Sequence, residues 1–192
     1  MEYTKQNVIA MGNKVRLSDS NTEEELELYC YNKCTNSDEE FLRNCRGLVF
    51  NKDKLILKTY SYTPEYPDDN CEELKNTLRE NFRDYKCYDS HEGALLRVFH
   101  FNDKWHVSTH RKLDAFRSKW SSRESFGEMF KKSIEYEYTR EGPSSLRTRL
   151  GEDKDVETVY ESFLESLNKD FSYVFLVRNT FDNRIVCTPT EN

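Results

Sequence analysis

What this chain lacks narrows it before anything it contains. No apolar run reaches membrane-spanning length, and the first residues carry no basic n-region followed by an apolar h-region. A soluble, cytoplasmic protein with no membrane partner is the expectation. Four prolines and six glycines in 192 residues leave no long flexible linker, and no repeat or low-complexity block appears. One domain over residues 1–192 is therefore expected. The six cysteines are scattered; Cys30-x3-Cys34 and Cys45 have neither a second C-x-x-C nor a nearby histidine pair, so reduced thiols are expected rather than zinc. His106-x3-His110 on a strand would place its ends roughly 13 Å apart, so no metal is expected there either. No Gly-rich phosphate loop and no Ser-His-Asp set can be assembled. An excess of positive charge is missing too. A formal net charge of −6 argues against broad polynucleotide binding, which relies on many phosphate contacts, but leaves recognition of one nucleotide or RNA end open.

Aromatic residues are plentiful (12 Tyr, 12 Phe, 2 Trp), enough for a substantial core. Charge is uneven: residues 97–123 hold Arg97, Lys104, Arg111, Lys112, Arg117, Lys119 and Arg123 against only Asp103 and Asp114. Such a stretch is either a solvated face or a phosphate-facing edge. Asn7 to Leu17 alternates as a strand would, and Thr22-Glu23-Glu24-Glu25 reads as an N-cap and acidic first turn of a helix toward Tyr31. Gly47–Phe50 and Leu55–Leu57 make a hairpin, and Leu74, Leu78 and Phe82 mark an amphipathic helix over Cys71–Arg83. The clearest hairpin is Leu95–Phe101, an Asn102-Asp103 turn, and Trp105–Ser108. Helices follow over Ser122–Tyr138 and Asp155–Leu167, separated by a Gly142-Pro143-Ser144-Ser145 loop. Strands over Phe171–Val177 and Arg184–Thr188 close the chain. Antiparallel hairpins alternating with helices predict an α+β fold.

Four segments, in order, carry a resemblance. Asn44-Cys45-Arg46-Gly47-Leu48-Val49-Phe50 is followed by Lys58-Thr59-Tyr60-Ser61-Tyr62. Then come Glu92-Gly93 and the hairpin from Leu96 to Thr109, and later Asn183-Arg184-Ile185-Val186. Together they resemble the viral RNA ligase 1-like branch of the covalent nucleotidyltransferases over about Cys45 to Val186. The resemblance implies an antiparallel nucleotidyltransferase-like core at 44–192. It also implies an N-terminal strand and helix extension at 1–43 and a helical insertion at about 122–168. In that family a lysine amine two residues before the acid and three before the glycine attacks the α-phosphate; here that position holds Ser90. An isolated serine hydroxyl does not replace a depressed-pKa amine. The acid on the strand before Asn183 and the terminal lysine motifs also have no counterpart, so the resemblance implies a pseudoenzyme with no catalytic residue and no cofactor.

What remains could bind. By the resemblance Arg46 lies near the nucleotide and Glu92 faces sugar and base, where a carboxylate can accept from the N1–H and 2-amino edge of guanine. Each has an ordinary alternative, a strand arginine paired with a surface acid and a turn acid. Gly93 belongs to the same loop and Arg97 to the following strand. Arg111 and Lys112 either reach phosphates or form a basic turn that starts a helix. Trp105, Phe99, Phe101 and Tyr88 are candidates for base stacking or for the core. Arg184 is either a nucleotide contact or structural. The function these residues favour is a non-catalytic reader of a nucleotide or RNA 5′ end such as an mRNA cap, joined 5′–5′ as a ligase intermediate is. Its partners would be RNA and proteins of translation or RNA processing, in a host cytoplasm if the protein is viral. The alternatives are an active RNA ligase or capping-type enzyme using ATP or GTP with Mg2+ and a displaced lysine or missing C-terminus, and a protein-interaction scaffold.

Overall fold

The computed structural model describes residues 2–66, 72–86, 88–120, 123–178 and 185–191, with residues 73 and 185–191 described by their backbone alone. The fold is α+β, built on two four-stranded antiparallel sheets. The first is a meander of β1 (Val15–Asn21), β2 (Leu26–Tyr31), β3 (Arg46–Asn51) and β4 (Lys54–Leu57). The second has β5 (Ala94–Phe101) and β6 (Lys104–Ser108) beside β7 (Phe171–Val177) and β8 (Ile185–Glu191), in the order β6-β5-β7-β8. Helices α1 (Lys5–Ala10) and α2 (Glu40–Asn44) accompany the first sheet. The short α3 (Glu72–Glu80) lies between the sheets in sequence, and α4 (Phe126–Thr139), α5 (Ser145–Leu150) and α6 (Val156–Glu165) fall between β6 and β7.

The period of two in β5 explains the layering. Ala94, Leu96 and Val98 join Phe130, Ile134, Val159 and Leu164 in the core beneath α4 and α6. The alternate residue Phe99 packs instead with Leu26, Leu28, Cys30 and Val49 of the first sheet. Beyond that sheet, Val8, Phe41, Leu42, Leu48 and Phe50 form a third apolar cluster under α1 and α2. The order of layers is therefore short helices, sheet, sheet, helices. Asn102 and Asp103 both take positive φ, as the two-residue turn joining β5 to β6 requires. Helix α4 starts with a capping box in which Ser125 and Glu128 each accept from the other's backbone N–H.

Two N-terminal expectations are overturned. Residues 7–10 belong to a helix, capped by the Thr4 hydroxyl accepting from the Asn7 N–H at 3.2 Å, and the strand starts only at Val15. The alternation read there was coincidental, with Ile9 exposed. Residues 22–31 are not a helix: the Asn21 carboxamide accepts from the Glu23 and Glu24 N–H groups at 3.1 and 3.2 Å. Glu25 then turns the chain with φ 54° into β2. Side-chain competition for those backbone donors wins over the acidic run, and Leu26, Leu28 and Cys30 alternate inward. The expected 142–145 loop ends one residue early, since Ser144 caps α5.

Candidate functional site

A bulge decides where Arg46 points. In the register of β2 with β3, Tyr29 pairs with Leu48 but Cys30 pairs with Arg46, leaving Gly47 as an extra residue. Its φ of +77° is the left-handed conformation that such a bulge demands. In an unbroken strand Arg46 would share a face with Leu48 and Phe50, toward α1 and α2. The bulge moves it to the face of Cys30, between the sheets. There it lines a cleft of about 380 Å3, within the roughly 300–1,000 Å3 span of small-molecule sites.

The cleft lies where the start of β3, the start of β5 and the segment after β6 converge. Gly93 to Leu95 form one side, Thr109, His110 and Arg111 another, and Ser118, Lys119 and Trp120 a third, with Phe126 of α4. The 109–113 segment is held by its own side chains and by β1. The Thr109 hydroxyl accepts from the N–H groups of Arg111 and Lys112 at 3.2 and 3.0 Å. The Ser18 hydroxyl donates to the Arg111 carbonyl, and Asp19 accepts from the Leu113 N–H. Ser18 is itself at a register shift in β1, so a second bulge fastens this segment to the first sheet. The Phe126 N–H donates to the Ser118 carbonyl and closes the loop that carries Lys119 and Trp120.

Electrostatically the cleft is one-sided. Arg46, Arg111 and Lys119 line it, and among the described residues no carboxylate does. Burial, then the charges of Arg46, Arg111 and Arg97, push the His110 pKa down to about 4, so this imidazole is neutral at pH 7. Arg46 spends one donor on the Ser61 carbonyl at 3.2 Å and keeps the rest of its fork. Trp120 is 67% exposed, resting edge-on against Phe126 with ring centroids 5.1 Å apart. Such a surface suits a ligand with several negative charges and a flat ring.

Of the residues singled out in the sequence, Arg46, Gly93 and Arg111 meet in this cleft. Arg97 does not line it. Its side chain is fully buried between the sheets, donating to the Gly47 carbonyl and, at 2.5 Å, to the Thr109 carbonyl. Burial lowers its pKa to about 9, which leaves it protonated at pH 7. Arg97 is a positioning residue that ties the bulge to the segment bearing His110. Trp105 pairs across the hairpin with His100 and packs against the helix-side core, on the opposite face of the sheet. Lys112 reaches away to Asp19, 3.6 Å distant. Ser90, His91 and Glu92 are exposed and do not line the cleft. Phe99 is core, and Phe101 packs against it in part. Tyr88 is exposed, and Arg184 lies outside the described residues. Gly93 has a structural reason of its own, because a Cβ there would meet the Val177 carbonyl oxygen at 2.5 Å.

His110, Lys119 and Trp120 were missed in the sequence. Lys119 falls within the basic 97–123 stretch, and Trp120 belongs to no periodic apolar pattern that would give it a place in the core. Together those two facts were a usable signal. Among the described residues no group of three His, Cys, Asp or Glu side chains could hold a metal ion, and no helix is long and apolar enough to cross a membrane.

No family model and no solved structure matches the chain. It is similar to three curated viral proteins. The immediate-early protein ICP-46 homolog of Invertebrate iridescent virus 6 is 36% identical over 170 residues, 86% of this chain. The homolog of the same name from Invertebrate iridescent virus 3 is 32% identical over 156 residues, 79% of the chain. Immediate-early protein ICP-46 of Frog virus 3 is 30% identical over 165 residues, 82% of the chain. The matched regions cover only 34%, 31% and 37% of those proteins, so this chain spans about a third of the relatives' length. The likeness supports a viral protein whose relatives carry the immediate-early name.

Proposed function

We propose that the cleft binds the 5′-phosphate end of a nucleotide or RNA without catalysing nucleotidyl transfer. The observation carrying this reading is the convergence of Arg46, Arg111, Lys119 and an exposed Trp120 on one concavity where no described carboxylate opposes them. Guanidinium forks bind phosphate oxygens through paired, charge-assisted hydrogen bonds, and an exposed indole offers a stacking face to any base. Ser90, standing where the resembled family has its lysine nucleophile, supports the non-catalytic part. In the infected cell such a protein acts on RNA ends in the cytoplasm, beside the translation or RNA-processing machinery.

Calorimetry of the full chain with ATP, GTP and a 5′-triphosphate oligoribonucleotide tests the reading. Submillimolar binding is expected, weakened on the order of tenfold or more by Arg46→Ala and again by Arg111→Ala, as loss of a charge-assisted contact predicts. Absence of binding to all three would end it. Incubation with labelled ATP or GTP and Mg2+ tests the non-catalytic part, because a heat-stable adduct, on Lys119 or elsewhere, would make the protein an enzyme.

A further inference from the structure

The ring and the charges of the cleft do not call for the same base. A methylated guanine, as in an mRNA cap, carries a positive charge at N7. Sites that hold such quaternary cations surround them with several aromatic faces, so that ring quadrupoles replace lost hydration. This cleft has one broadly exposed ring, Trp120, and its sequence neighbour Lys119 lines the same wall. Phe126 is buried and presents its ring to Trp120. Arg46 and Arg111 add two further cations, and His110 is neutral, so the cleft carries a formal charge of +3 near pH 7.

Compensating acids are poorly placed. Glu128 is close enough for Lys119 to lower its pKa, but its carboxylate accepts from the Ser125 N–H at 2.6 Å and the Ser125 hydroxyl at 2.8 Å. Glu92, the carboxylate that the sequence offered for guanine's edge, does not line the cleft. Asp19 is occupied by Lys112 and the Leu113 N–H. A cationic base laid on Trp120 would thus gain one ring face and meet uncompensated positive charge. An uncharged base gains the same stacking without that repulsion, and each added phosphate meets a cation.

We infer that the cleft selects a 5′-polyphosphate carrying an uncharged base and disfavours an N7-methylated one, an inference that rests on the nucleotide-binding reading above. Lys119 is the residue that sets the preference at the base, while Arg46 and Arg111 take the phosphates. The preference concerns chemistry shared by a free nucleoside triphosphate and an unmodified RNA 5′ end.

The test is a matched set of titrations on the full chain at low salt. GTP, N7-methyl-GTP and GMP define charge and phosphate count; GpppG, its N7-methylated form and a 5′-triphosphate oligoribonucleotide separate free nucleotide from RNA end. The expected result is that each unmethylated ligand binds on the order of five- to tenfold more tightly than its methylated partner, and GTP more tightly than GMP. Lys119→Glu, an exposed change whose fold is checked by circular dichroism, should narrow or invert the methylation preference. Trp120→Ala should weaken both partners alike. Equal or tighter binding of the methylated ligands, or a preference unchanged in Lys119→Glu, overturns the inference while leaving nucleotide binding intact. Failure of every ligand to bind overturns the underlying reading, and the inference with it.

Discussion

The two faces of β5 teach different lessons from one eight-residue strand. On the helix side, Leu96 and Val98 join Phe130, Ile134 and Phe175 in one apolar cluster, and Ala94 belongs to that cluster while also edging the cleft. On the sheet side, Leu95 lines an open cleft, Arg97 is buried with a full charge, and Phe99 packs against the first sheet. The helix side resembles a protein core in composition and packing. The sheet side holds a guanidinium where an aliphatic residue would bury more comfortably. Arg97 persists there because it joins the carbonyl of Gly47, the bulge residue beside Arg46, to that of Thr109 in the cleft wall. One face stabilises the molecule, and the other sets the geometry of a site.

Separate roles for the two faces can be broken by experiment, beginning with the largest effect. Phe130 is fully buried and touches the rings of Tyr160, Phe163 and Phe175. Phe130→Ala should lower the unfolding free energy by about 3–5 kcal/mol in urea titration, with nucleotide affinity of the folded fraction unchanged. A parallel loss of affinity would show that the faces are not independent.

Gly47→Ala should cost less, about 2–3 kcal/mol, but should also weaken binding. It combines the left-handed strain of φ +77° with a Cβ built 2.6 Å from the Arg97 guanidinium and 2.8 Å from the His110 Cα. Thermal melts and calorimetry on the same variant would separate the two consequences; wild-type affinity would mean that the bulge does not aim Arg46.

The smallest effect is the pH response of His110. Its folded pKa of about 4 lies below the ordinary 6.5. Across that window the unfolded chain binds more protons than the folded one, so this contribution is fully present above about pH 6.5 and falls as pH drops toward 4. His106, lowered chiefly by burial, acts in the same direction. The slope lost in His110→Gln therefore isolates the cleft's share. NMR titration of the imidazole should show the His110 pKa rising when a polyphosphate occupies the cleft, because the anion offsets the surrounding cations. An unchanged value would place the phosphates elsewhere.

Legibility in the sequence followed how local the cause was. The Leu95–Ser108 hairpin was plain because its Asn-Asp turn and alternating aromatics sit within a few residues of one another. Helix α6 was equally plain, with Asp155 capping it through the Glu157 N–H at 3.2 Å. Residues 22–31 misled because the run Glu23-Glu24-Glu25 outweighed the single Asn21 side chain that captures the Glu23 and Glu24 backbone donors. Among cleft residues, Arg46 could be named through the family resemblance and Arg111 from its place after the second hairpin strand. The face taken by Trp105 could not be read, because a strand tryptophan next to a hairpin turn looks the same whichever side of the sheet it takes.

By itself, the sequence determined the α+β alternation, most element positions and an acidic chain carrying one basic stretch. Those follow from periodicity, turn chemistry and charge, which act over neighbours. Tertiary structure decided which face each residue serves. The bulge at Gly47 re-aims Arg46, Arg97 is drawn beneath the cleft by carbonyls 50 and 12 residues away in sequence, and Lys119 and Trp120 are delivered by a loop closed on α4. The aim of Arg46 and the burial of Arg97 have no local signature, because strand register and sheet packing are settled only when distant segments meet.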